Sequence, residues 1–194
     1  ALEFHKYKGR IVFRGDIIKD EEGTFAVFSE QGASASSVEA ARFVDALARM
    51  PGCSGYNIDA VKAFNQIPLG DDCPETWCSL QRHRWQKAWE GMKEPVVLLK
   101  RNLYGHPRAG HYWEHHVSKC VRSIGFKPIP GWECLYMHPT YKVVLSVYVD
   151  DFKIGGASAH LHFIIERMRK LIHLDEANPL QEDCLLYTSD AADE

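Results

Sequence analysis

LSVYVDDFKIGG (residues 145–156) places two adjacent carboxylates at the end of an apolar strand pattern. Apolar residues alternate along 143–149, which predicts a strand, and the apolar residues that follow predict a hairpin. Asp150 is predicted on the same face as Tyr148, and Asp151 at the bend. Two like charges at a hairpin tip repel each other. The pair is either an exposed turn in which Asp is chosen for its turn chemistry, or part of a site that requires a third carboxylate.

Asp59 in NIDAVKAF (57–64) is the candidate for that third carboxylate, because it also ends a short apolar strand. Carboxylates that converge at a sheet edge suit hard cations such as Mg²⁺, which retain water and bind phosphate oxygens. Two such ions can stabilise both the attacking and the leaving oxygen of a phosphoryl transfer. The residues therefore point to metal-dependent phosphoryl-transfer chemistry.

The composition is that of one folded domain. The chain has 194 residues, of which 45% are hydrophobic. Its longest apolar runs, such as PVVLL (95–99), are too short to cross a bilayer. The six cysteines form no C-x-x-C pair, which favours reduced thiols over a disulfide framework or a zinc ribbon. We expect a cytoplasmic protein with no membrane partner.

The last eleven residues, CLLYTSDAADE (184–194), resemble a translated sequencing-adapter sequence, and we expect them not to be native. They contain three acidic residues, so without them the net charge of −3 becomes zero. The slight acidity therefore does not argue against a nucleic-acid partner. We expect the natural chain to be a fragment of a longer protein.

The order of predicted elements indicates an α+β fold with helices packed on one face of an antiparallel sheet. The elements are a basic strand within 5–16, a helix that begins with a Ser36–Glu39 capping box and ends before Pro51, a strand around Tyr56 and Ile58, loops and a short hairpin in 70–94, a strand at 95–100, a helix after 103–110, strands at 132–139 and 143–149, and a helix at 159–173.

Three ordered motifs resemble the reverse transcriptases of Ty/copia-type LTR retrotransposons. NIDAVKAF (57–64), LYGHPRAGHYW (103–113) and YVDD (148–151) are similar to motifs A, B and C of that family. KGRIVFRGD (8–16) is similar to its basic fingers segment, and PGWECLY (130–136) to the strand before the YVDD hairpin. The resemblance implies a polymerase palm with part of the fingers over residues 1–183, approximately 1–50 fingers and 51–183 mostly palm.

The resemblance also implies the catalytic roles. Asp59 and Asp150 would bind two Mg²⁺ ions, for which Mn²⁺ can substitute, and Asp151 would be a third, more dispensable carboxylate. The motif B segment departs from the usual family form, because His-Pro-Arg follows LYG here. That departure leaves His106 and Arg108 without an assigned role.

Residues that would contact the deoxynucleotide follow from the same resemblance. Lys8 and Arg10 would bind its triphosphate, although a charged, solvated edge strand explains them as well. Phe64 would be the aromatic steric gate against a ribose 2′-hydroxyl, or else a core phenylalanine. The remaining implied contacts are Tyr104, Gly105 and Tyr148.

The expected function is that of an RNA-directed DNA polymerase that extends a primer on an RNA or DNA template with dNTPs. The parent would be a polyprotein with RNase H and integrase regions, located in cytoplasmic virus-like particles. Two alternatives remain open from the sequence. One is a palm remnant that binds nucleic acid without polymerising, and the other is an unrelated Mg²⁺-dependent phosphohydrolase.

Overall fold

A computed structural model describes residues 9, 11–20, 22–26, 35–70 and 73–180. It shows a mixed α/β domain with two antiparallel sheets. The helices are α1 (Val38–Ala48), α2 (Ala109–Ser123) and α3 (Ser158–Arg169). The strands are β1 (Cys53–Asp59), β2 (Trp77–Ser79), β3 (Val96–Leu98), β4 (Lys127–Pro128), β5 (Leu135–His138), β6 (Val143–Tyr148), β7 (Asp151–Ala157) and β8 (Asn178–Pro179).

The main sheet has the strand order β4-β5-β6-β7-β1-β8, and its pairs are antiparallel. β6 and β7 form the hairpin predicted from the opening stretch, and β7 pairs along its whole length with β1. This arrangement places β6, β7 and β1 side by side at the centre of the sheet. The ends of these three strands carry the carboxylates.

The larger core lies between one sheet face and the helices α2 and α3. Alternate residues of the central strands point into it, because side chains along a strand alternate between the two faces. Trp113 and Val117 of α2, with Leu161 and Ile164 of α3, cover this face and are almost completely buried. The core residues of the strands include Ile58, Leu145, Val147, Phe152 and Ile154.

Helix α1 packs on the opposite face, so the expectation that all helices share one face is wrong for α1. Val44 of α1 forms a second, smaller buried cluster with Leu135 and Val144. The paired Gly55 and Gly155 lie directly beneath α1, and a Cβ at either position would press against Val44 or Ala48. These glycines let the helix approach the sheet closely.

The start of α1 differs from the predicted capping box. Ser37 is the N-cap, and its side chain accepts a hydrogen bond from the Ala40 N–H at 3.2 Å. Ser36 instead bonds to the sheet, because the Ser146 hydroxyl donates to its Oγ at 2.7 Å. Val38, predicted on the buried stripe, is exposed. The Ser36–Ser146 bond attaches the start of α1 to the sheet. The proposed boundary between fingers and palm near residue 50 stays a prediction.

Residues 11–14, which lie inside the predicted basic strand, are not in a strand, and a short 3₁₀ turn follows at Gly15–Ile17. The extended-strand prediction is therefore wrong for this part of 5–16, since the segment pairs with no sheet. Residues 5–8 and 10 lie outside the described residues, as do 184–194. Among the described residues no helix has the length and apolar composition needed to cross a membrane.

Candidate active site

The register of the sheet brings Asp59 and Asp151 directly opposite each other. Asp59 is the last residue of β1, Asp151 is the first residue of β7, and the two are cross-strand partners. Tyr148 at the end of β6 pairs with Asp151 from the other side. Val149 and Asp150 form the two-residue turn of the hairpin. The prediction that Asp151 lies at the bend is therefore wrong by one residue, because Asp151 belongs to the returning strand.

The turn at Val149 is strained. Val149 has a φ of 52°, in the left-handed region that β-branched residues strongly disfavour. A strained backbone persists only where the surroundings hold it, and such strain concentrates at functional sites. Asp150 follows Val149 in this turn, next to the ends of β7 and β1 that carry Asp151 and Asp59.

Two hydrogen bonds hold this turn in place. The Ala60 N–H donates to the Asp150 carbonyl at 2.8 Å, which ties the end of β1 to the hairpin tip. The Trp113 indole N–H donates to the Val149 carbonyl, which ties α2 to the same tip. Helical spacing predicts that Trp113 is buried, but only the structure shows the polar partner that a buried indole requires.

The three carboxylates influence one another electrostatically. Partial desolvation raises the pKa of Asp151, and the negative charges of Asp150 and Asp59 raise it further. The raised pKa also reflects a hydrogen bond to Asp59 that the protonated form of Asp151 makes. The cluster is therefore a region of concentrated negative charge, and a bound cation would relieve its repulsion.

Carboxylate oxygens are the donor type that Mg²⁺ prefers, so the chemistry of this cluster fits a hard divalent cation. Across the described residues, however, no three or more His, Cys, Asp or Glu side chains are placed to hold a metal ion as they stand. The site thus offers the donor type and the charge, without an assembled ligand cage.

Phe64 and Tyr104 form an aromatic pair next to the carboxylate strands. Phe64 lies in the 3₁₀ turn Ala63–Gln66 that follows β1, and Tyr104 lies in the loop before α2. Their ring centroids are 4.7 Å apart and tilted by 51°. Phe64 is half-buried and packs on the edge of the core. It is therefore neither a fully buried core residue nor a free surface ring.

Gly105 adopts a φ of 87°, and its missing side chain makes room for the chain itself. A Cβ at this position would overlap the Phe13 carbonyl. The Phe13 N–H also donates to the Tyr104 carbonyl at 2.7 Å, and the Phe13 ring lies 5.7 Å from the ring of His106. Residues 11–15 therefore occupy the space beside Gly105. Lys8 and Arg10, the two predicted triphosphate contacts, lie outside the described residues.

Comparison with known proteins finds relatives that are similar to about half of this chain. The Transposon Ty1-DR4 Gag-Pol polyprotein and the Transposon TyH3 Gag-Pol polyprotein of Saccharomyces cerevisiae are each 27% identical to it over 103 residues. The match covers 49% of this chain and only 6% of the length of each relative. This chain resembles a segment of Ty1 Gag-Pol polyproteins. The similarity supports an origin in a Ty1/copia retrotransposon. No protein-family model matches the chain. No solved structure matches it.

Proposed function

We propose that this chain is the fingers and palm part of a retrotransposon RNA-directed DNA polymerase. The observation that carries the proposal is the cross-strand pairing of Asp59 with Asp151, beside a strained turn that contains Asp150. A sheet gains nothing from two like charges placed directly opposite each other. The presence of these charges together at the ends of β1 and β7 is explained if they bind a ligand, since they do not stabilise the fold.

Asp59 and Asp150 would hold the catalytic Mg²⁺ ions, with Asp151 as the third carboxylate. When bound, two such ions promote in-line phosphoryl transfer by stabilising the attacking and leaving oxygens. The chain's own contribution is to hold the carboxylates at one edge, since the hydrogen bond from Ala60 to Asp150 and the pairing of β1 with β7 hold both strands together. Such preorganisation lowers the cost of assembling the site.

The aromatic pair would shape the nucleotide pocket. Phe64 is braced by Tyr104 and by the core edge, so its ring has little freedom to move aside. A fixed ring in this place would crowd a ribose 2′-hydroxyl and favour dNTPs over ribonucleotides. We also propose that Tyr148, which is 56% exposed next to Asp151, and Gly105 contact the nucleotide or its base pair.

The partners proposed with this activity are an RNA or DNA template, a primer and dNTPs. The Gag-Pol relatives fit a parent polyprotein with further regions. RNase H and integrase regions, and a particle in the cytoplasm, belong to the proposal for that parent.

Template-directed primer extension tests the proposal. Purified chain is incubated with a labelled primer on an RNA template, dNTPs and Mg²⁺, alongside Asp150→Asn and the control Glu94→Gln, an exposed carboxylate before β3. We expect extension by the original chain and by the control, and a loss of at least about 100-fold in Asp150→Asn. The melting temperature of Asp150→Asn should not fall, because the substitution removes repulsion rather than a packing contact.

Two results contradict the proposal. Extension by Asp150→Asn at the original rate would exclude a catalytic role for the cluster. Mg²⁺-dependent release of phosphate from dNTPs without any template would favour the phosphohydrolase alternative. The binding alternative predicts a different pattern, in which the original chain shows neither extension nor a Mg²⁺-dependent rise in melting temperature but still retains labelled primer–template.

A further inference from the structure

Residues 76–98, here called the arm, contain a two-stranded sheet that is separate from the main sheet. β2 and β3 pair in it with Trp77 opposite Leu98 and Ser79 opposite Val96. Between them run two short 3₁₀ turns, Arg82–Arg84 and Lys87–Trp89. Among the described residues, neither strand pairs with the six-stranded sheet.

The base of the arm is attached next to the aromatic pair of the candidate active site. The Leu69 N–H donates to the Lys100 carbonyl at 3.0 Å, and the Asn102 N–H donates to the Ile67 carbonyl at 2.9 Å. These segments directly follow Phe64 and directly precede Tyr104. Both ends of the arm therefore leave the body of the protein at one place.

A buried histidine reinforces this attachment. The Thr76 hydroxyl lies 3.2 Å from the Nε2 atom of His106, whose side chain is buried. The Arg108 N–H donates to the Nδ1 atom of the same ring at 3.2 Å. His106 thus connects the base of the arm to the loop before α2, and the position of the arm is fixed relative to the site.

Aromatic rings lie along the arm without being part of the core. Trp77 is 53% exposed, although tryptophan is among the side chains that gain most from burial. Trp85 and Trp89 are half-buried. The guanidinium of Arg82 lies over the Trp85 ring, 5.8 Å from its centroid. Only the structure shows how exposed each of these rings is.

The charge of the arm is positive where the rings are. Residues 77–89 contain Arg82, Arg84 and Lys87 and no acidic residue. Glu75 and Glu90 flank this stretch, and the Trp77 indole N–H donates to the Glu75 carboxylate at 3.2 Å, which leaves the faces of the ring open to stacking. All three basic side chains are exposed. One exposed ring and two half-buried rings, interleaved with exposed cations, match the two requirements of single-stranded nucleic acid, which stacks its bases and pairs its phosphates with cations.

We propose that the arm is a binding surface for single-stranded nucleic acid, with Trp77 as a stacking platform and Arg82, Arg84 and Lys87 as phosphate contacts. The surface is separate from the carboxylates, and it binds RNA and DNA strands alike because neither stacking nor phosphate pairing reads the 2′-hydroxyl. That this strand is the template next to the active site rests on the proposed function.

Fluorescence anisotropy with labelled 20-nucleotide oligo-dT and oligo-rU measures the binding, in EDTA so that no metal bridges the strand to the carboxylates. The arm variant combines Arg82→Ala, Arg84→Ala and Lys87→Ala. Its matched control combines Lys119→Ala, Lys127→Ala and Lys170→Ala, three exposed lysines outside the arm. Each lost phosphate contact lowers the slope of log affinity against log salt by about 0.7. We expect the arm variant to lower that slope by about 2 and the control to lower it by less than about 0.7.

The stacking contribution is tested by comparing Trp77→Ala with Trp132→Ala. Trp132 is an exposed tryptophan in the segment between β4 and β5. We expect Trp77→Ala to weaken binding about 5-fold or more with little change in the salt slope, and Trp132→Ala to leave it unchanged.

Equal salt slopes for the arm variant and its control would overturn the proposal, because the binding would then be diffuse surface attraction. An arm variant that binds oligonucleotides like the original chain but changes its mass in light scattering would also overturn it, in favour of a protein interface. The proposed function is tested separately, because Asp150→Asn should retain oligonucleotide binding. If that variant binds normally and also extends primers, the polymerase proposal fails and the arm proposal stands.

Discussion

Replacing Asp151 by Asn should make the protein more stable while impairing its proposed chemistry. Asp151 is directly opposite Asp59, and Cβ atoms in such cross-strand pairs are about 5 Å apart. Two unit charges at about 5 Å repel by roughly 0.8 kcal/mol at the dielectric constant of water and by about 3 kcal/mol at an effective constant of 20. Because Asp151 is exposed, the lower value applies. The Asn side chain also introduces an N–H group that can donate to Asp59.

We therefore expect Asp151→Asn to raise the free energy of unfolding by about 0.5–1 kcal/mol at pH 7 and low salt, without added divalent metal. For a chain of this size, that corresponds to a rise of about 1–4 °C in melting temperature. Differential scanning calorimetry or urea unfolding of Asp151→Asn, with Glu94→Gln as the charge-matched control, measures it.

The dependence on pH and salt identifies the cause. The pKa of Asp151 is raised in the folded protein, so folding favours its protonated form, and stability is lost as the pH rises from the ordinary aspartate value to the raised one. The difference between the variant and the original chain should therefore vanish near pH 3 and be complete at pH 7. It should also shrink in 1 M NaCl, where the Debye length is about 3 Å.

A lower stability of Asp151→Asn at pH 7 would refute this reasoning, because Asp151 would then make a net favourable contact. A gain that is the same in low and high salt would refute it as well, since charge repulsion must respond to screening. Added Mg²⁺ should reverse the order if the cluster binds the ion. The original chain should then gain more stability than the variant.

Three further predictions concern the body of the protein. Asp45→Asn should lower the free energy of unfolding in urea by about 3 kcal/mol, because it removes the charge that pairs with the largely buried ammonium of Lys153, 2.9 Å from the Asp45 carboxylate. A loss below about 1 kcal/mol would mean that water reaches this pair. Gly55→Ala should cost about 1–3 kcal/mol through overpacking beneath α1, whereas Gly70→Ala, which faces open space, should be neutral in the same assay. Burial lowers the pKa of His106, so the unfolded chain takes up the proton first and the melting temperature should fall as the pH drops below about 6.5. His106→Gln should flatten this dependence of melting temperature on pH between pH 7.5 and 5.5. An unchanged slope would exclude His106 as its source.

Several elements could be predicted from local sequence pattern alone. The apolar run before Asp150 and the apolar return after Asp151 predicted the β6–β7 hairpin from local pattern, although the structure buries both faces of β6. The apolar stripe at helical spacing predicted α3, which covers Ser158–Arg169 rather than 159–173. The end of the strand at Asp59 was readable in the same way.

The relations between distant segments could not be predicted in this way, because they depend on how the whole chain folds. The amphipathic pattern of α1 shows that one side of the helix is buried, but not which face of the sheet buries it. The pairing of β1 with β7 places Gly55 opposite Gly155, and these two residues leave the space in which α1 packs on its face. The pairing of β6 with β7 places the hairpin turn at Val149 and Asp150. The pairing of β7 with β1, across about ninety residues of chain, places Asp59 opposite Asp151. Pairing of this kind depends on the summed packing of a whole sheet rather than on any local preference. The direct pairing of Asp59 with Asp151 therefore became visible only in the folded chain.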